Sequence, residues 1–177
     1  MNHRPSNQGI VDVSHKDITK RTAVASSKIK LSSEAFLKLR KGQSPKGDVL
    51  EAAKVAGILA AKSTATIIPH CHPLPLTHVN IRFETDERHN SVTCLAEVVC
   101  LGQTGVEMEA LTAACVASLT IYDMMKWADK AMVISDVKLL KKTGGRSGDF
   151  FRHIGISKAK FRFPAVPPKA EHTRGTR

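Results

Sequence analysis

The sequence predicts an α+β fold in which two long helices cover one face of a four-stranded, mainly antiparallel sheet, with a short extra helix beside them. Alternating apolar residues indicate the strands, and apolar residues at helical spacing indicate the helices. The order is strand, helix, strand, strand, helix, strand, which is typical of the ferredoxin-like arrangement. The predicted strands are 21–32, 79–84, 91–101 and 132–140, the long helices are 48–64 and 104–130, and the short helix is 32–40.

The first half of the domain has recognisable start signals at its helices. Small and apolar residues alternate along the strand 21–32. Ser32 then opens the short helix, because a serine hydroxyl can accept a hydrogen bond from backbone N–H groups that are unpaired at a helix start. Asp48, with Glu51 three residues later, is a similar start signal for the second helix. Three prolines in 67–75 forbid helix there and make that segment extended.

The middle two strands form a hairpin with one side toward the helices. On the strand 91–101 the inward positions are Val92, Cys94, Ala96, Val98 and Cys100. Leu95, Val99 and Leu101 point to the opposite face, which no predicted helix covers. Because an uncovered apolar face usually finds a partner, we expect the chain to form oligomers.

The last long helix, 104–130, is the element around which the rest is organised. Thr104 and Glu107 have the spacing of a capping box at its start. Besides its apolar stripe, the helix has a second line of residues that runs from Glu109 to Asp123, and Lys126 lies one turn beyond Asp123. We therefore expect this helix to be both the main packing element and a wall of an active site. Its apolar stripe is Val106, Ala110, Ala113, Ala117, Ile121, Met124 and Ala128.

The positive charge is concentrated at the C-terminal end. The net charge of the 177 residues is +11. Residues 138–177 hold eleven Lys and Arg against two acids, which gives +9, and residues 1–137 hold sixteen against fourteen, which gives +2. We divide the chain into a loosely ordered segment 1–20, a catalytic domain 21–150, and a basic, flexible tail 151–177. Such a tail can attract polyanions, or it can simply be solvated.

Hydropathy and cysteine usage favour a cytoplasmic protein. No apolar run approaches the roughly 18 residues that a membrane helix needs, and the first residues lack the apolar core of a secretory signal. The mitochondrial matrix would be the alternative in a eukaryotic source. The four cysteines form no C-x-x-C pair, so we expect buried, reduced thiols rather than disulfides or a metal-binding cluster.

Several polar residues could carry chemistry, and each also has an ordinary structural interpretation. Asp123 and Lys126 could form an acid–base pair or an exposed ion pair. The glycine-rich loop 141–149, with Lys142, could hold phosphate or be a flexible basic turn. Lys46 could meet an anion at the start of the second helix, or be a surface lysine.

A second group of candidates is weaker on sequence alone. Two imidazoles flank Cys71 in a stiff loop, but no further metal ligands lie at a helpful spacing, so we expect no metal site. His70 and His72 could instead hold phosphate or a polar ring, or the loop could be purely structural, which this segment alone favours. Glu107 and Glu109 are ordinary acids for the first turn of a helix, and Arg21 would pass as a solvated residue.

The spacing along the last helix points to a shared site. Glu109 and Asp123 are fourteen residues apart, which is about 21 Å along a helix. One compact substrate could hardly touch both in one subunit. Either the two acids serve separate purposes, or a second subunit brings its own copy alongside.

Several motifs in order resemble the cyclic pyranopterin monophosphate synthase family, which acts in molybdenum cofactor biosynthesis. The resemblance runs from about Ile10 to Phe150 and excludes the tail. The motifs are Lys46-Gly-Asp48, Ile68-Pro-His-Cys-His-Pro73, Thr104-Gly-Val-Glu-Met-Glu-Ala-Leu-Thr112, Leu119-Thr-Ile-Tyr-Asp-Met124, Lys142-Thr-Gly-Gly145 and Ser147-Gly-Asp-Phe150.

The resemblance implies a lyase that converts 3′,8-cyclo-7,8-dihydroguanosine 5′-triphosphate to cyclic pyranopterin monophosphate and diphosphate. It implies catalytic roles for Asp123, Lys126 and Lys46. It also implies a homohexamer built from dimers, with sites at subunit interfaces and no required cofactor, although a divalent metal could accompany the triphosphate. The substrate-binding residues that it implies are His70, Cys71, His72, Met108, Glu109, Glu107, Lys142 and Arg21.

Two positions depart from the family pattern. His70 stands where leucine is common, and Arg146 stands where lysine is usual. Proton shuttling suits a lysine whose pKa is lowered by nearby cations or burial, and we expect Lys126 to be such a group.

The competing interpretation is a nucleotide- or RNA-binding module of the same fold. Only 5% of residues are aromatic, however, and neither central strand offers exposed rings to stack bases. An inactive relative serving as a scaffold would be a third interpretation.

Overall fold

Residues 9–152 fold as an α+β domain with a five-stranded antiparallel sheet and three helices. The structure is a computed structural model that describes residues 9–152. The strands pair in the order β2-β3-β1-β4-β5, and each pair is antiparallel. No helix among these residues is long and apolar enough to cross a membrane. The elements are β1 (Thr19–Lys30), α1 (Ser33–Arg40), α2 (Val49–Ile67), β2 (Leu76–Asp86), β3 (Ser91–Gly102), α3 (Glu107–Met125), β4 (Val133–Thr143) and β5 (Phe150–Phe151).

The core lies between the helices and one face of the sheet. The predicted inward positions of β3 are confirmed, since Val92, Cys94, Ala96, Val98 and Cys100 are all fully buried. The apolar stripe of α3 is confirmed from Val106 to Met124, which are buried. The predicted end of this helix at residue 130 is wrong, because α3 ends at Met125 with Lys126 as its C-cap. The N–H groups of Ala128 and Asp129 turn back to the Met125 carbonyl oxygen, so Ala128 lies beyond the helix. A Cβ placed on Gly57 of α2 would lie 3.1 Å from the Ala113 carbonyl oxygen of α3. The absence of a side chain at Gly57 therefore lets α2 lie close against α3.

Two of the three predicted helix caps are confirmed. Ser32 accepts a hydrogen bond from the Ala35 N–H, and Asp48 accepts from Leu50 and Glu51. The predicted capping box at Thr104 is wrong, because α3 begins only at Glu107, with Val106 at the cap position and no side-chain cap bond. Val106 is fully buried, so core packing rather than a polar cap sets this helix start.

The last long strand is longer than predicted. β4 continues to Thr143, and Lys142 pairs with Ala23 of β1 and with Phe150 of β5. Lys142 therefore lies on a strand and not in the glycine-rich loop. A short fifth strand is added to the four that were predicted, because the chain turns back after the loop and β5 pairs with the edge of β4.

The sheet face opposite the helices is only partly open. Leu95 is buried against Val24 and Leu140 in a small second cluster. Leu101 is exposed on 55% of its surface. The prediction that Leu95 lies on an open surface is therefore wrong for the single chain, because cross-strand neighbours cover it.

The predicted boundary segments are described only in part. Residues 9–18 contact the domain, since the Gln103 amide donates hydrogen bonds to the carbonyl oxygens of Ser14 and Lys16. β1 starts at Thr19, two residues before the predicted strand. The predicted tail lies outside the described residues from 153 onward, and residues 1–8 also lie outside them, so the division into segments stays a prediction.

Candidate active site

The C-terminal end of α3 carries an aspartate held between two lysines. Asp123 Oδ1 lies 2.8 Å from Lys126 Nζ, and Asp123 Oδ2 lies 2.6 Å from Lys46 Nζ. Lys126 is the C-cap residue of α3, three residues after Asp123, whereas Lys46 comes from the loop before α2. The fold thus brings together the three residues for which the resemblance implied catalytic roles.

A cavity of about 450 Å³ opens beside this cluster. About half of the Asp123 and Lys126 side-chain surfaces remain exposed, so a ligand in the cavity could reach both groups. Aromatic rings form part of the wall, which gives the cavity an apolar side. The lining residues are Pro45, Lys46, Tyr122, Asp123, Lys126, Trp127 and Lys130.

The two lysines stabilise the charged form of the aspartate. Hydrogen bonds from Lys126 and then Lys46 lower the pKa of Asp123 to about 2. The hydrogen bond to Asp123 also raises the pKa of Lys126. The hypothesis that the pKa of Lys126 is lowered is therefore wrong for the free chain, because an anion contacts this lysine. At neutral pH Asp123 is therefore a carboxylate and Lys126 an ammonium.

The N-terminal end of α3 faces a second group of charged side chains. Lys142 Nζ lies 2.9 Å from Ser147 Oγ and 3.6 Å from Glu107 Oε1. Arg21 is only 6% exposed, and it donates hydrogen bonds to the carbonyl oxygens of Gly102 and Gln103. Burial and these bonds fix the guanidinium. Arg21 is therefore not the solvated residue that its sequence context suggested.

The glycine-rich loop closes over Arg21. Gly144 has φ +90°, and a Cβ there would lie 2.0 Å from the Lys20 carbonyl oxygen. A Cβ on Gly145 would lie 3.0 Å from Arg21 Nη1. Only glycine fits at Gly144, because a side chain would collide with the backbone of β1. The resulting cavity of about 370 Å³ is lined by Lys16, Arg21, Thr22, Gln103, Thr104, Gly105, Glu107, Lys142, Thr143, Gly145, Arg146 and Ser147.

The proline-bounded loop presents His72 to the N-terminal segment. His72 Nε2 lies 2.8 Å from the Val11 carbonyl oxygen. Because a carbonyl can only accept, this nitrogen donates. His70 is exposed, whereas Cys71 is half-buried.

The same end of α3 holds a buried acid. Glu109 is 4% exposed, and burial, followed by the charge of Glu107, raises its pKa. Burial raises the pKa of Cys71, and the charge of Glu109 raises it further, so the Cys71 loop lies within electrostatic reach of Glu109. Met108 is 38% exposed beside them.

The predicted site residues therefore form two groups, one at each end of α3. Glu109 and Asp123 both lie within the continuous helix Glu107–Met125, and fourteen residues of helix span about 21 Å. The two cavities share no lining residue. One chain does not bring Asp123, Lys126 and Lys46 together with the substrate-binding candidates.

The described residues contain no group of three or more His, Cys, Asp or Glu side chains placed to hold a metal ion. All four cysteines are free, with Cys94 and Cys100 buried. The prediction of buried thiols is thus confirmed for Cys94 and Cys100, whereas Cys71 and Cys115 are only partly buried. The independence from metal stays a prediction.

Comparison with known proteins identifies the family. The model of the MoaC family matches residues 10–145 of this chain. The chain belongs to the MoaC family. The family resemblance seen in the sequence is confirmed over almost the whole described domain.

Relatives within the MoaC family are similar over most of their length. A cyclic pyranopterin monophosphate synthase of Heliobacterium modesticaldum is 53% identical over 143 residues, which are 81% of this chain and 90% of that protein. The protein of the same name from Brevibacillus brevis is 53% identical over 81% of this chain and 89% of its own length. The one from Staphylococcus aureus is 52% identical over 82% and 91%.

Sequence reasoning on this MoaC-family chain missed several cavity residues. Tyr122 lies directly before Asp123 and Trp127 directly after Lys126 at the end of α3, and both line the first cavity. Their positions next to the catalytic candidates were the available signal. Gln103 and Lys16 line the other cavity. No local pattern marks them, because their contacts join segments far apart in the chain.

Proposed function

We propose that this chain is a cyclic pyranopterin monophosphate synthase, a lyase of molybdenum cofactor biosynthesis. It converts (8S)-3′,8-cyclo-7,8-dihydroguanosine 5′-triphosphate to cyclic pyranopterin monophosphate and releases diphosphate. The observation that carries the proposal is the placement of Asp123 between Lys46 and Lys126 at an open cavity. The family membership and the 53% identity to named synthases agree with it.

The cluster at the end of α3 supplies acid–base groups for the rearrangement. Opening and reclosing the purine-derived ring require protons to move between nitrogen, carbon and oxygen atoms. Lys126 is the proton donor in this proposal, and its Asp123 partner takes protons when the substrate separates the pair. Lys46 supplies a second positive charge on the other carboxylate oxygen. Its role is to keep Asp123 ionised and to attract the anionic substrate.

The group at the other end of α3 suits a triphosphate. Lys142 and the fixed guanidinium of Arg21 offer positive charge, and the glycines allow the backbone to come close to phosphate oxygens. Glu107 beside Lys142 suits hydrogen-bond donors of the base or ribose. This surface extends over His70, Cys71, His72, Met108 and Glu109. We assign substrate binding to this group.

A complete site then needs two chains. We propose that copies assemble so that the end of α3 with Asp123 in one subunit meets the end with Lys142 in another, as in a trimer of dimers. The separation along α3 supports this arrangement, since one substrate cannot bridge it within a chain. The strand order β2-β3-β1-β4 supports assigning the ferredoxin-like arrangement. We expect a cytoplasmic protein that needs no resident cofactor, with any divalent cation arriving on the triphosphate.

Within residues 9–152, the open face of the central strands does not favour a nucleic-acid-binding module. The positions of β1 and β3 that face away from the helices carry no aromatic residue in the described strands. Stacking platforms for single-stranded nucleic acid require such rings.

The test is incubation of the purified full chain with the cyclised GTP substrate. We expect diphosphate release together with a pterin that becomes fluorescent on oxidation. Asp123→Asn and Lys126→Ala should lower the rate at least about 100-fold, in the range for loss of a general acid or base. Lys54→Ala is the matched control, because Lys54 forms a similar exposed ion pair with Glu51. Absence of both products with the wild-type chain would refute the proposed function.

A further inference from the structure

Ser44 joins the loop that carries Lys46 to the end of α3. Its hydroxyl donates a hydrogen bond of 3.2 Å to the Met124 carbonyl oxygen. The same hydroxyl accepts one of 3.2 Å from the backbone N–H of Lys46. A serine hydroxyl has one donor and two acceptor sites, so it can make both bonds at once. Met124 lies directly after Asp123, so one short side chain links both sides of the cluster.

The hydrogen bond from Ser44 completes the end of α3. The last four carbonyl groups of a helix have no partner within it. In α3 the backbone after the helix satisfies two of them, since Lys126 donates to the Tyr122 oxygen and Ala128 and Asp129 donate to the Met125 oxygen. The other two belong to Asp123 and Met124. Lys46 Nζ donates to the first at 3.3 Å, and Ser44 donates to the second.

Lys46 alone cannot fix the position of its loop. Its side chain is long and 48% exposed, and such chains lose considerable entropy when they are held in one geometry. The loop itself is a turn, with the Gly47 N–H donating to the Ser44 carbonyl oxygen at 3.2 Å and Pro45 at the second position. This backbone hydrogen bond holds the shape of the turn, and the Ser44 hydroxyl attaches the turn to α3.

We propose that Ser44 is a positioning residue, which holds the Lys46 loop on the C-terminus of α3 so that the Lys46 ammonium contacts Asp123. This inference rests on the proposed function for its effect on turnover. The position of Lys46 does not depend on that function and can be measured separately.

The experiment compares Ser44→Thr with Ser44→Val in the full chain. The two side chains have nearly the same shape, and only threonine keeps the hydroxyl. Limited acetylation with mass spectrometry then measures the reactivity of Lys46 relative to Lys54, which is also paired at 2.6 Å and 40% exposed. Thr66→Ala serves as a control for hydroxyl loss, since Thr66 bonds only within its own helix end.

We expect Ser44→Val to raise acetylation of Lys46 about fivefold and to lower kcat by a similar factor, as for loss of one hydrogen bond. Ser44→Thr and Thr66→Ala should match the wild type in both. Equal Lys46 reactivity in the Val and Thr variants would overturn the proposal. If the wild-type chain forms no product, the proposed function fails, and the acetylation contrast still decides the role of Ser44.

Discussion

Glu109 shows how a single buried acid links stability to the site. It is 4% exposed, and burial disfavours its charged form, so its pKa is raised above the ordinary 4.5. A folded-state pKa above the unfolded value means that folding favours the protonated acid. The wild type therefore loses stability as the pH rises from about 4.5 through the raised pKa. A buried acid that costs stability is typical of a functional position.

Glu109→Gln should therefore stabilise the protein at high pH. The amide has the same shape but no charge to desolvate, so we expect a higher melting temperature than wild type at pH 8. The difference should shrink as the pH falls toward 4.5, the ordinary value at which the wild-type acid also becomes neutral. Thermal melting across this range is the measurement, with the exposed Glu84→Gln as control. An unchanged or lower melting temperature at pH 8 would contradict the interpretation.

At the residue scale, local chemistry predicted the catalytic cluster better than the rest of the site. Asp123 and Lys126 share one helical turn, so their contact follows from sequence. Lys46 is 77 residues away, and only the family resemblance connected it to them. The buried state of Arg21 was not predictable, because it depends on the carbonyl groups of Gly102 and Gln103, which are 81 and 82 residues further along the chain.

At the element scale, α3 and the glycine-rich loop are the parts that place the site. Helix starts with a polar cap were predictable, as Ser32 and Asp48 show, because their hydrogen bonds are local. The start of α3 was not, because burial of Val106 decided it. The loop start was also misplaced, since the pairing of Lys142 with Phe150 is a contact between segments. Periodicity therefore predicts faces well and boundaries less well.

Two glycines of this loop provide a test of its packing. Gly144 and Gly148 both have positive φ, +90° and +77°, so alanine strains the backbone at each by about 1–2 kcal/mol. A Cβ on Gly144 also meets the Lys20 carbonyl oxygen at 2.0 Å, whereas nothing lies within 4 Å of a Cβ on Gly148. We expect Gly144→Ala to lower the melting temperature clearly more than Gly148→Ala and to weaken binding of inorganic triphosphate. Equal effects in calorimetry would show that the loop does not pack on β1 as described.

At the scale of the whole molecule, the two ends of α3 define the assembly that we propose. A site shared by two chains takes Asp123 from one and Lys142 from the other. Two inactive variants with substitutions at opposite ends of α3 should then regain catalytic activity when they are mixed. Variants at the same end should not, because every site would still lack a group from that end.

Mixing Asp123→Asn with Lys142→Ala should recover about a quarter of the wild-type activity. Half of randomly formed pairs contain one of each variant, and each such pair has one intact site of two. Mixing Asp123→Asn with Lys126→Ala is the matched control and should recover none. The measurement is product formation after subunit exchange or co-expression. No recovery in the first mixture, with exchange verified, would place each complete site within one chain.

The continuous α3 also limits how this chain can vary in length. One residue inserted between Glu109 and Asp123 would turn the two ends by about 100° relative to each other and lengthen the helix by about 1.5 Å. A deletion would do the same in the opposite sense, and both would misalign the ends in every neighbouring copy. Gaps among natural homologues should therefore avoid this helix and gather at places such as the exposed turn 87–89 between β2 and β3.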